Sequence, residues 1–423
     1  MRETIKTSFV LVLALVLLVL SCARDKTPLG PAEGPAVCPQ QDIPWPSLAN
    51  SPWPVMWGDM QCTARGKYPG PRIGRVVWSF SQEGLYAEEV GVAIAEDGTL
   101  YLAAPNMREG MRCYLFVLGP DGSLRARTFF TGPGECTSSA SLLARGRVLA
   151  VDHAGAIHEF DMQGNIQGRH QGPHGNEAAA PAVGLDGTVY FYSWGNFFSG
   201  VEPSGQVKWS RHVGSSSYSL TRCSLAMSPD GRSFYTLVHD HQFGALLTAF
   251  DAHTGSVRWQ ATASPYFLSP LVDNEGNVYC ITFKQGADHF VVRSFTSGGQ
   301  LRWASPARAG QSTNLCMSSD GYLFAYGAGD SLLCIDCEGR VRWSTPMLGR
   351  PELASEGGVR LVVDSEGVVY ACYNSRYVLG FGKNGTRLFV CELPAMPYNL
   401  CGLAISCTGQ LIIVGEGWVY CLE

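Results

Sequence analysis

Charged residues make up only 16% of this 423-residue chain, and lysine and arginine form no run or cluster. With 31 basic against 36 acidic side chains the net charge is −5, so the electrostatic footprint of a nucleic-acid binder is missing. No window sustains helical periodicity, which excludes a solenoid of helices. The apolar run from Phe9 to Leu20 is too short to cross a bilayer comfortably. Nucleophile elbows, phosphate-binding glycine loops and zincin motifs are also missing. What the chain does have is glycine, 49 residues of it, and an apolar content of 46%. These fit a folded, turn-rich β protein.

The glycines are periodic. A turn followed by an apolar strand occurs eight times, at Asp97–Tyr101, Arg145–Leu149, Asp186–Tyr190, Asp230–Tyr235, Glu275–Tyr279, Asp320–Phe324, Glu366–Tyr370 and Thr408–Ile412. A second pattern, glycine and then alternating apolar positions often ending in tryptophan, starts at Gly74, Gly122, Gly164, Gly205, Gly255, Gly299, Gly339 and Gly385. A repeat of about 44 residues is the length of a four-stranded propeller blade. The second pattern comes first in the chain and the first comes last. A strand around Val76 is therefore left over, as is a C-terminal blade without its outer strand. Pairing the two closes the ring, so the expected fold is an all-β, eight-bladed propeller. In the outer strands, alternation in Gly205–Trp209 and Gly255–Trp259 is expected to set Val and Trp on one face and Lys or Arg on the other, toward water.

The N-terminus carries a second signal. Arg2 and Lys6 precede the apolar run, which ends in Val19-Leu20-Ser21-Cys22. This resembles the bacterial lipobox, and the resemblance implies cleavage before Cys22, lipidation there and anchoring in the outer membrane. The expected divisions are a signal peptide over 1–21, a lipidated, proline-rich tether and lead-in over 22–72, and the propeller over 73–423. Removing Cys22 from the 15 cysteines leaves fourteen, an even number for an oxidising compartment. Cys223, Cys401, Cys334 and Cys421 recur at like blade positions and read as small core residues. Cys334-Ile-Asp-Cys337 has redox spacing but sits on a strand running into a turn. A Cys38–Cys62 disulfide is one pairing that would tie down the lead-in, though spacing leaves the pairing open.

The lead-in ends in Ser51–Arg65, with Trp53, Asp59, Thr63 and Arg65, and the repeat Ala249–Trp259 contains Asp251, Gly255 and Trp259. Over roughly 51–423 the chain resembles the pyrroloquinoline-quinone-like (PQQ-like) propeller repeat family. That resemblance implies a blade-docking role for Trp78, Trp209, Asp251, Gly255, Trp259, Trp303 and Trp343. The plan of lipobox, tether and single propeller further resembles the propeller lipoproteins of outer-membrane barrel-assembly machines, which implies a non-enzymatic scaffold. PQQ-dependent dehydrogenases of the same family carry an adjacent cysteine pair, a calcium site and a catalytic aspartate. This chain has no Cys-Cys pair, so neither catalytic residues nor a cofactor are expected.

Binding is therefore expected on loops held by a rigid scaffold. If both hairpin turns of a blade share one rim, the opposite face is built from the longer connections. These supply Arg108, His170, His174, Arg211, Tyr218, Lys284, Arg308, Arg350 and Tyr398 as the expected partner surface. His239 and His241 could approach a metal from one side, but two ligands do not make a site and no metal is expected. The sequence thus reads as a monomeric, lipid-anchored envelope propeller, facing the periplasm or the cell surface, that binds a protein partner. A periplasmic or surface propeller binding a glycan or small molecule in its axial channel is the alternative, and a PQQ-dependent dehydrogenase a more distant one.

Overall fold

The structure, a computed structural model, describes residues 36–86, 90–132, 139–175, 180–193, 197–213, 224–240, 244–262, 269–283, 289–309, 314–349, 359–373, 376–394 and 402–423. Among them no helix is long and apolar enough to cross a membrane. The strands assemble into eight antiparallel sheets of four. Blade 1 runs Ala93–Ile94, Leu100–Asn106, Arg112–Leu118, Leu124–Thr131, from the axis outward. Blades 2 to 7 repeat this order, with inner strands Ser141–Leu143, Ala182–Val183, Ala226–Met227, Leu271–Val272, Cys316–Met317 and Val359–Val363. Blade 8 combines Gly402–Ile405, Leu411–Gly415 and Trp418–Leu422 with the N-terminal strand Val76–Ser81. Trp78 lies opposite Cys421 and Phe80 opposite Val419, so the ring closes as the phase of the two patterns requires.

The middle strands are buried on both faces, as their near-continuous β-branched and aromatic runs demand. The outer strands depart from simple alternation. In blade 3, Val207 pairs with Val201 and Trp209 with Gly200, so Lys208 is an extra residue in a β-bulge. The same shift precedes Trp259, Trp303, Trp343 and Phe389. The bulge breaks the period of two. Trp209 is 5% exposed while Val207 is 39% exposed, and Lys208 folds back onto Asp186 at 3.0 Å. Valine and tryptophan therefore do not share one apolar face, contrary to the expectation from alternation.

Among the described residues an aromatic ring of one blade is laid on the turn glycine of the next at every junction but that of blades 1 and 2, where Gly164 meets Val117 and Ala126; on Gly205 the ring is the His170 imidazole. Trp209 rests on Gly255, where a Cβ would come within 2.4 Å of the indole. The indole N–H also donates to a turn carbonyl: Trp78 to Pro120 at 3.0 Å, Trp209 to Ala252 at 3.0 Å, Trp259 to Ser297 at 2.8 Å, Trp303 to Cys337 at 2.9 Å and Trp343 to Lys383 at 3.1 Å. Asp251 caps the turn before Gly255, accepting from the Thr254 amide at 2.9 Å and from Arg258 at 2.6 Å.

The cysteines divide differently from the sequence expectation. Cys38 is bonded to Cys337, not to Cys62. Cys62 is buried, its thiol 3.8 Å from the Leu225 carbonyl. Spacing along the chain leaves the partner open; the fold carries Cys38 to blade 6 while Cys62 sits on the axis. Cys113 is disulfide-bonded as well. Cys334 and Cys421 are core residues, and burial pushes each thiol up to about 12. Cys223 and Cys401 lie outside the described residues.

Candidate functional site

The lead-in occupies the axis of the ring. Each inner strand presents one backbone amide at the same position, four residues before its turn glycine. The Ile94 amide donates to the Trp53 carbonyl at 2.7 Å, Leu142 to Pro54 at 2.8 Å, Met227 to Met60 at 2.7 Å, Val272 to Gln61 at 2.9 Å, Met317 to Thr63 at 2.9 Å and Val363 to Ala64 at 3.0 Å. The Val183 amide points at the Met60 sulfur, 3.2 Å away. In blade 8, Gly66 packs so closely that a Cβ would meet Ile405 at 2.9 Å. Residues 53 to 66 thus visit all eight blades and meet seven equivalent amides, six through carbonyls at about 0.5–1.5 kcal/mol net each and one through the weaker sulfur acceptor.

Local conformation makes this possible. Cys62 and Ala64 adopt left-handed φ of 56° and 50°, which swings successive carbonyls outward to successive blades. Non-glycine residues hold that region at a cost of about 1–2 kcal/mol each. Trp53 is fully buried, its indole donating to the Met56 carbonyl at 3.1 Å. Trp57 reaches the Ser224 hydroxyl at 2.8 Å and lies under the Arg360 guanidinium, 5.4 Å from the ring centre.

The polar residues of the lead-in form one cluster. Asp59 accepts from the Thr63 amide at 2.9 Å and from the Thr63 hydroxyl. Arg65 donates to the Gln41 carbonyl at 3.2 Å and pairs with Asp42 at 3.3 Å. Burial pushes the Asp59 carboxyl above its ordinary 3.8, against the opposing pull of Arg65 and the Thr63 hydrogen bonds. Beside the cluster is a cavity of about 460 Å³, open to solvent, lined by Ile43, Trp45, Pro46 and Met60 together with Asp59 and Arg65.

Of the loop residues expected to form a partner face, the described ones lie apart from this cavity. Arg108 is exposed on the short 3-10 turn Met107–Glu109, 3.3 Å from Glu83. His174 stacks on Phe197 with ring centres 4.2 Å apart. The Arg308 carbonyl accepts from Ala328, which fixes the connection over blades 5 and 6. His170 and Arg211 are not loop residues: they belong to the outer strands Ile166–Gln171 and Val207–His212, paired with Ile157 and Phe198. The outer strands run longer than their tryptophan pattern and absorb both. Tyr218, Lys284, Arg350 and Tyr398 lie outside the described residues, as do His241 and Cys22. His239 is in the strand Ser233–Asp240. Among the described residues no group of three metal-ligating side chains converges. Sequence reasoning missed the axial role of Met60, Gln61 and Ala64, because they act largely through backbone carbonyls that any residue supplies, Met60 adding its sulfur.

No family model matches the chain, and no curated protein matches it in sequence. Solved structures match it in shape. BamB from Moraxella catarrhalis superposes with a TM-score of 0.60 at 13% identity, over 83% of this chain and 100% of that one. A europium-containing methanol dehydrogenase gives 0.60 at 11% identity, over 86% and 89% of the two chains. The quinohemoprotein alcohol dehydrogenase from Comamonas testosteroni gives 0.60 at 12%, over 88% and 81%. At such identities the likeness shows a shared fold, the eight-bladed PQQ-like propeller, and nothing finer.

Proposed function

We infer that this chain is a non-enzymatic, lipid-anchored propeller of the bacterial envelope that works by binding a protein partner. The observation that carries this reading is the filled axis. The central channel is where a propeller usually offers a small molecule a site, and here the lead-in occupies it down to the inner-strand amides. What remains for recognition is the outside of the ring: rims, inter-blade clefts and connections. The comparison with BamB adds support, since this propeller accounts for the whole of that chain, whereas each dehydrogenase has parts with no counterpart here. Outer-membrane attachment through Cys22 belongs to the same proposal.

The test is purification of the tagged, full-length protein from detergent-solubilised membranes, with co-purifying proteins identified by mass spectrometry. A stoichiometric outer-membrane barrel or assembly component is the expected result. A solitary protein would overturn the scaffold reading. Cys22→Ser should release the protein from membranes into the soluble envelope fraction.

A second reading, ligand binding, is favoured by one observation: the cavity of about 460 Å³ beside the lead-in, lined by apolar, aromatic and charged groups. Screening glycans and small molecules against the purified protein tests it.

A further inference from the structure

Between the Cys38–Cys337 bond and the axial residues, the chain forms a strap over the turn side of the ring, fastened at both ends. Toward blades 5 and 6, the Gln40 amide donates to the Ser319 carbonyl and the Gln41 amide to the Asn274 side chain, each at 2.7 Å. Toward blades 2 and 3, the Trp45 indole donates to the Val183 carbonyl at 2.7 Å and Leu48 bridges to Leu143. The cavity of about 460 Å³ belongs to this lead-in: every described residue that lines it comes from 42–50 or 54–67. Pro44, Pro46 and Pro54 are among them, and their fixed φ stiffens a segment already tied down at both ends. The space is thus held open by the lead-in itself, and the blades serve to position it.

The polar part of the lining holds donors without acceptors. The Arg65 side chain is 6% exposed and spends its Nη2 on the Gln41 carbonyl at 3.2 Å and Asp42 at 3.3 Å. Its Nη1 has no hydrogen-bond partner among the described residues, and neither has Nε2 of the buried Gln61. Buried polar groups are nearly always paired, and a buried cation with one distant carboxylate is poorly compensated. Lys67, also in the lining, donates to the Ser51 carbonyl at 2.9 Å and pairs with no carboxylate among the described residues. On the acidic side, Asp42 is turned to solvent, and burial disfavours the charge on Asp59. What the lining lacks is an acceptor with one negative charge. A dianion would be repelled by Asp42 and Asp59 more strongly than a monoanion. The remainder of the lining, with Ile43, Trp45, Leu48 and Met60, is apolar.

We propose that this cavity binds an apolar monocarboxylate: a small molecule with one carboxylate and an aromatic or aliphatic body. The carboxylate accepts from Arg65 Nη1 and Gln61 Nε2, and Lys67 adds a second positive charge. Both nitrogens are covered by their neighbours in this structure, so engaging them takes a small turn of the guanidinium. Its Nη2 contacts, at 3.2 and 3.3 Å, are long for hydrogen bonds and yield readily. Trp45 has its N–H committed to Val183 and offers the ligand its ring. A volume of about 460 Å³ lies within the range of small-molecule sites. The inference rests on the ligand-binding reading of this cavity and names the class of ligand.

The test titrates 3-phenylpropanoate into the full-length protein by calorimetry, with 3-phenylpropanamide as the neutral probe of the same shape. Saturable binding of the acid with a dissociation constant on the order of 1 mM is expected for so small a ligand, and the amide should bind at least about tenfold more weakly. Arg65→Met should abolish the preference for the acid. Lys67→Met, at an exposed position, should weaken the acid about threefold or more, leave the amide unchanged, and cover the case in which Arg65→Met does not fold. Equal affinity for acid and amide would overturn the carboxylate and leave the ligand-binding reading standing. No saturation by the acid up to about 10 mM, or parent affinity in the folded variants, would overturn the proposal too. The ligand-binding reading is decided separately, by the wider screen of glycans and small molecules.

Discussion

Cys38 is bonded to Cys337 across 299 residues of chain, and the Cys38 amide donates to the Asp320 carbonyl of the same blade at 3.1 Å. One end of the lead-in is thus fastened to both turns of blade 6, while its middle is fastened to the axis by backbone hydrogen bonds. A cross-link closing so long a loop restricts the unfolded chain and contributes roughly 2–5 kcal/mol. The double variant Cys38→Ser/Cys337→Ser should keep the fold, because the axial bonds do not depend on it, and should unfold at lower denaturant under non-reducing conditions. An unchanged midpoint would show that the bond constrains nothing the axis does not already hold.

The Asp59 carboxyl of the lead-in has its pKa raised, and burial is the main cause. A raised native pKa means the unfolded chain ionises first, near 3.8. Stability should therefore fall as pH rises from 3.8 through the higher native value, and level off above it. Asp59→Asn removes this dependence and keeps an acceptor for the Thr63 amide, so it should cost less than about 1 kcal/mol at neutral pH. Asp59→Ala strands that amide and should cost about 1–3 kcal/mol. Denaturant melts of the three proteins from pH 3 to 8 check the ordering; an Asn variant as weak as the Ala variant would mean the charge itself holds the lead-in.

Ring closure was legible in the sequence because Val76–Ser81 and Thr408–Ile412 leave the repeat out of phase at its two ends, and a propeller has one way to resolve that. The docking tryptophans were legible because glycine and indole keep a fixed spacing. The bulge at Lys208 was not, since an extra residue in one strand leaves no mark on composition. The axial role of 53–66 was hidden for a different reason: Trp53, Asp59, Thr63 and Arg65 stood out by side chain, whereas the contacts to the blades are made by main-chain carbonyls. The pairing of Cys38 with Cys337 depends on where the ring carries blade 6, which spacing along the chain does not encode. His170 and Arg211 belong to strands that outlast the tryptophan position marking them, so the pattern ends before they do.

Asp152 and His158 form a buried pair in blade 2, 2.9 Å apart and each 1% exposed, with the Phe130 ring 4.9 Å from the imidazole. Burial works against the Asp152 charge, but hydrogen bonds from His158, the Ala156 amide and Thr131 outweigh it and hold the carboxyl below 3.8. A lowered native pKa contributes stability that is present above 3.8 and is lost as pH falls through the native value. Asp152→Asn should cost about 1–3 kcal/mol at neutral pH. The gap to the parent should close in acid. A gap that stays constant with pH would assign the effect to packing around Phe130 instead of to the charge.

Trp209 offers the cleanest measure of what joins one blade to the next. Its ring lies parallel to Phe234 at 6.0 Å, stacks near Tyr190 at 5.8 Å and covers Gly255, while its N–H reaches the Ala252 carbonyl. Trp209→Ala removes both area and hydrogen bond and should cost about 3–5 kcal/mol. Trp209→Phe keeps a ring on the glycine and loses the donor, which should cost about 1–2 kcal/mol. Blade 7 already makes that compromise with Phe389, so the Phe variant should fold. Equilibrium unfolding of the two variants separates the contributions. If Phe is as costly as Ala, the carbonyl contact holds the blades together; if Phe is nearly neutral, ring on glycine is enough.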